Sequence, residues 1–185
     1  MHIFKTFTLL LTTLTTLALS APSPTTCKTV SPAFARVDQA RPVESYLPGF
    51  RVSQEAGATQ KQDTFVEFRI PPKSWGCTLS YTFPPGTPVT TVGLAPVEVF
   101  SVAGPLSRSP RGIDISWAYS PAPISLVGSV KFESSPTQPT TRVINSFVCR
   151  DVLAYRFSVS QGYSQKTSVE ISQREGVGLR MTYNC

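Results

Sequence analysis

Leu153-Ala154-Tyr155-Arg156-Phe157-Ser158-Val159-Ser160 is the stretch from which the fold is read. Tyr155, Phe157 and Val159 fall on one side of an extended backbone, Arg156 and Ser158 on the other. A strand with one buried and one wet face needs that period of two. Ile113-Asp114-Ile115-Ser116-Trp117-Ala118-Tyr119 repeats it, with Ile113, Ile115, Trp117 and Tyr119 opposite Asp114 and Ser116. Further runs rich in Val, Ile, Thr, Tyr and Phe cover Thr64–Ile70, Cys77–Phe83, Val89–Val92, Val97–Ala103, Ser125–Glu133, Arg142–Cys149, Thr167–Ser172 and Val177–Tyr183. Such residues suit a pleated, half-buried surface. The chain's 17 prolines punctuate these runs, and proline is poorly tolerated inside helices and central strands. Many short strands between turn signals predict an all-β fold, an antiparallel β-sandwich of jelly-roll type.

The first 20 residues have the parts of a secretion signal. His2 and Lys5 make a short basic region, Phe7 to Leu19 an apolar one, and Ala18-Leu19-Ser20 places small residues for cleavage after Ser20. The apolar run is shorter than the ~20 residues of a membrane span. Residues 21–62 read as a Pro/Thr-rich leader, a candidate for O-glycans, followed by an irregular arm with a short edge strand at Phe50-Arg51-Val52-Ser53. Residues 63–185 are the expected sandwich domain. Neither Asn145 nor Asn184 begins an N-glycosylation sequon.

An even count of cysteines behind such a signal favours disulfides. Cys27, Cys77, Cys149 and Cys185 allow three pairings. Cys77–Cys149 is favoured because the two bracket expected strands, and Cys27–Cys185 because chain ends often lie close together. Zinc is disfavoured by the wide spacings and the lack of a C-x-x-C pair. The expected location is extracellular or wall-associated.

The chemistry is narrowed by one absence. His2 is the only histidine and falls within the expected signal. Histidine is the usual general base near neutral pH and the commonest metal ligand. Its loss removes Ser-His-Asp and Cys-His arrangements, and no cofactor is expected. Gly162-Tyr163-Ser164-Gln165-Lys166 lacks the second glycine of a nucleophile elbow. A carboxylate pair remains the one enzymatic alternative, a glycan-active hydrolase using Asp114 with Glu133 or Glu98. The net charge of +6 falls to +5 without Lys5 and is scattered along the chain. That suits an acidic wall or membrane surface and not a nucleic acid, which needs a basic patch.

Two features suggest a binding surface. Trp75 sits in a turn two residues before Cys77, where it either packs on the disulfide or presents a platform to sugar rings. Arg108-Ser109-Pro110-Arg111-Gly112 is a basic loop, with Arg108 and Arg111 available to an anionic partner. Trp117 shares a face with Ile113 and Ile115 and is expected in the core.

Phe68-Arg69-Ile70-Pro71-Pro72, followed by Trp75-Gly76-Cys77-Thr78-Leu79-Ser80-Tyr81-Thr82-Phe83-Pro84, resembles the fungal ubiquitin-three-binding-protein C-terminal-domain family over about residues 60–185. The resemblance implies a secreted ascomycete β-sandwich, often alone behind a signal peptide. It brings no catalytic residues, and its ubiquitin-like partner is not carried over to an exported chain. The resulting expectation is a non-catalytic, effector-like protein that binds cell-wall polysaccharide or a host surface protein. A purely structural or antigenic wall protein is the other alternative.

Overall fold

The computed structural model describes residues 27–93 and 95–185. The expected signal over 1–20 and the Pro/Thr-rich stretch at 21–26 lie outside the described residues. Fourteen strands follow in order: β1 (Lys28–Val30), β2 (Ala33–Asp38), β3 (Phe50–Glu55), β4 (Thr59–Arg69), β5 (Cys77–Phe83), β6 (Val89–Val92), β7 (Val97–Val102), β8 (Arg108–Ser109), β9 (Gly112–Ile113), β10 (Pro123–Val130), β11 (Thr140–Phe147), β12 (Val152–Val159), β13 (Thr167–Ile171) and β14 (Gly178–Tyr183).

The strands build an antiparallel β-sandwich. One sheet has four strands in the order β1-β14-β5-β11. The other has eight, in the order β10-β7-β12-β4-β3-β13-β6, with β2 also paired to β4. Their facing sides hold one core, in which Phe68, Tyr155 and Phe157 of the large sheet meet Leu79, Tyr81, Phe83 and Met181 of the small one. Phe132, just past β10, fits between Phe50 and Tyr81 with ring centroids 5.3 and 5.1 Å away. Edge-on and tilted contacts of this kind add to the burial of the rings themselves.

A second, smaller core lies on the outer side of the large sheet. Phe65 of β4, Ala35 and Val37 of β2 and Ala154 of β12 are covered there by Leu106, Ile113 and Ile115. Strand β4 is therefore buried on both faces from Asp63 to Phe68.

Two sequence expectations are corrected. The irregular arm is instead ordered strand from Lys28 onward, so the sandwich begins before residue 63. Strand β3 is no edge, since β4 and β13 flank it. Ala33–Asp38 finds its partner in Glu67–Gln62, a long-range pairing that no local signal announces. Second, Ile113–Tyr119 is not a strand. Only Gly112 and Ile113 pair, with Ser109 and Arg108, and Trp117–Tyr119 is a 3-10 turn. Ile113 and Ile115 are buried as expected, but by capping the second core and not by joining a ladder. Alternation reports which side is buried, not whether a neighbouring strand exists.

Both favoured disulfides are present. Cys77–Cys149 has its Cα atoms 5.1 Å apart and ties the start of β5 to the chain just beyond β11. Cys27–Cys185, with Cα atoms 4.6 Å apart, fastens β1 to the end of β14. Replacing Cys77 by Ser should lower stability by ~2–5 kcal/mol, the usual loss for a native bridge in a small domain. Urea unfolding of the oxidised proteins measures it, and an unchanged midpoint would contradict this role for the bridge.

Candidate binding surface

Trp75 is held outward by backbone geometry. Pro71-Pro72-Lys73-Ser74 forms a tight turn in which Ser74 N–H bonds the Pro71 carbonyl at 3.3 Å. Lys73 takes the left-handed conformation that the third position of such a turn requires, with φ 65°. The other end is clamped by Asn184, whose side-chain oxygen accepts from Trp75 N–H at 3.0 Å. Asn184 N–H donates in turn to the Trp75 carbonyl at 2.7 Å. The indole is 53% exposed. It lines an open depression of about 520 Å³ with Gly76, Phe147, Val148 and Cys149. Val148 is 84% exposed, so a wide apolar ridge stands beside the indole.

Phe147 and Val148 also form one wall of a second cleft, of about 570 Å³. It lies where the edges of the two sheets approach. Gly128 of β10 meets Ile144 of β11 there so closely that a Cβ on residue 128 would stand 3.2 Å from both the Ile144 side chain and its carbonyl oxygen. The Asn145 amide donates across the same junction to the Val127 carbonyl. Beside this contact the cleft is walled by Val102, Ile124, Val127 and Leu153, with Ser101, Ser125, Arg150 and Tyr155 as its polar members. Tyr155 is 2% exposed, packed against Phe68 and Phe147. Its hydroxyl is buried with no hydrogen-bond partner among the described residues. Burial pushes its pKa well above the ordinary tyrosine value, so it stays a protonated donor. Tyr81, the other core tyrosine, donates to the Lys131 carbonyl at 3.1 Å and accepts from Glu133 N–H.

The structure does not bring the other candidates to this surface. Arg108 is not a free cation: its guanidinium bonds the Glu67 carboxylate at 2.7 Å. Arg111 lies with its guanidinium 5.5 Å from the centre of the Tyr46 ring. Neither lines the depression or the cleft. Glu98 on β7 accepts from Ser160 Oγ at 2.8 Å and from Gln161 N–H at 3.3 Å. Glu133 is exposed beside a separate pocket with no second carboxylate, and Asp114 lies in the segment after β9. No hydrogen bond joins any two of the three among the described residues. Groups of three or more metal-ligating residues are also absent among the described residues, and no helix there is long and apolar enough to cross a membrane.

Sequence reasoning treated the acids as a solvated face and so missed two of them. Asp63 and Glu67 alternate with Phe65 on the outer side of β4, and both are about 1% exposed. Glu67 accepts from Leu106 N–H at 2.6 Å as well as from Arg108. Asp63 is met by Arg156, with Nε 2.7 Å from its oxygen. Trp117 is half-buried against this core, and the Arg156 guanidinium lies 5.3 Å from the centre of its ring. The signal in the sequence was the strand pattern itself, which leaves both acids inside once both faces of β4 are covered. Burial pushes the Asp63 carboxyl up, and the charge and hydrogen bond of Arg156 pull it back.

That balance fixes a pH dependence. Replacing Arg156 by Ala strands a buried carboxylate and should cost about 3–5 kcal/mol near neutral pH. A carboxyl whose folded pKa is raised favours the folded state at low pH and loses that contribution as pH rises through the folded pKa. The deficit of Arg156→Ala relative to the parent should therefore shrink as Asp63 takes up its proton. Urea unfolding of both proteins at pH 7 and pH 4 measures this, and a deficit independent of pH would rule out the charge on Asp63 as its cause.

No protein-family model matches the chain, and no curated protein is significantly similar to it.

Proposed function

We propose that the protein is an exported, non-catalytic binding domain that engages cell-wall polysaccharide through Trp75. The observation that carries this reading is the half-exposed indole, fixed from both sides by Asn184 and set beside Val148 on a disulfide-stapled frame. Exposed apolar side chains grouped on a surface mark interaction sites more often than chance exposure does. An indole offers a flat, rigid, amphipathic face at low conformational cost, suited to the apolar C–H face of a sugar ring. Two disulfides suit an oxidising compartment. The resemblance to the fungal domain family belongs to the same proposal, since it implies a free-standing secreted sandwich. Lacking two carboxylates turned toward one cleft, the hydrolase alternative has no support here.

The test is sedimentation with insoluble cell-wall polysaccharides and an array of soluble glycans, with products checked by mass. Saturable binding without cleavage is expected, and Trp75→Ala should weaken it about tenfold or more, equivalent to ~1.4 kcal/mol. Binding unchanged by that substitution, or none at all, would overturn the reading, and cleavage would overturn its non-catalytic part.

A further inference from the structure

We propose that the cleft between β10 and β11 binds a small amphipathic anion, with its apolar body between the sheet edges and an oxygen accepting from the Tyr155 hydroxyl. The proposal does not depend on polysaccharide binding at Trp75. Three observations converge on it. The cleft's volume of about 570 Å³ lies within the ~300–1,000 Å³ of small-molecule sites, and its walls are Val102, Ile124, Val127, Phe147 and Leu153. An apolar body fills such a space without leaving polar groups unpaired.

The second observation is the Tyr155 hydroxyl. Buried polar groups are almost always hydrogen-bonded, and one that is not calls for an explanation. The Tyr155 ring is already held by Phe68 and Phe147, so phenylalanine would pack equally well and carry no orphaned hydroxyl. A ligand oxygen gives that hydroxyl its partner. The third is Arg150, which lines the same cleft, is exposed, and makes no ion pair among the described residues. It supplies the complementary charge for an anionic group at the mouth. Fatty acids and aromatic sulfonates share this chemistry of an apolar body with a compact oxygen anion.

The probes are dodecanoate below its micellar concentration and anilinonaphthalene sulfonate, titrated into the oxidised protein and followed by calorimetry and fluorescence. One saturable site is expected for at least one probe. Tyr155→Phe should weaken it about tenfold while the melting temperature of the free protein holds or rises, because an unpaired hydroxyl is removed. Ala103→Trp, made at an exposed wall position, should abolish binding, and Trp75→Ala should leave it intact. Failure of both probes to saturate would overturn the proposal. So would a Tyr155→Phe protein that binds normally but melts lower, which would assign the hydroxyl to a buried water.

Discussion

Burial of β4 on both faces is the constraint to which the other elements answer. Its inner residues Val66 and Phe68 belong to the core between the sheets, and its outer residue Phe65 to the second core. A strand in the middle of an ordinary sandwich keeps one side in water. Here β2 runs beside β4 while β12 and β3 divide its length, and the segment from Leu106 to Trp117 must fold back over the outside. The two acids of the outer face then need partners, because an unpaired buried carboxylate is costly. Arg108 and Arg156 supply them. The basic loop is thus part of the lid on β4, which removes Arg108 from the pool of cations free to meet a partner.

The fold class was written locally, and its extent was not. Leu153–Ser160 and Cys77–Phe83 carry β-forming side chains that must point inward wherever the strands pair, so their reading survived in β12 and β5. Ala33–Asp38 offers two alanines and an arginine among its six residues, too weak a pattern to stand without Glu67–Gln62 beside it. Thr59–Gln62 is polar throughout and looks like a loop, yet the ladders to β3 and β2 extend β4 into it. Ile113–Tyr119 failed in the opposite sense, its strong alternation being satisfied by packing over Phe65 without a neighbouring ladder.

The candidate surface was legible by halves. Trp75 stood out because an indole in a Pro/Gly turn has little local structure to bury it. Tyr155 gave no such sign, since its alternation with Phe157 reads as core. It is core in its ring and an open question only at one oxygen, and that distinction exists only after Phe147 and Val127 are placed around it. Functional chemistry carried by a single unsatisfied atom depends on the whole neighbourhood, and one strand's pattern does not contain it.

The Cys27–Cys185 bond has a mechanical meaning beyond stability. It closes a loop with a sequence separation of 158 residues, which contains both sheets. A pull applied at Cys27 and Cys185 passes through the sulfur–sulfur bond and never loads the β ladders. The sandwich then behaves as an inextensible link whose length under tension is the 4.6 Å between two Cα atoms, and Trp75, hydrogen-bonded to the residue next to that link, keeps its shape while the link is under strain.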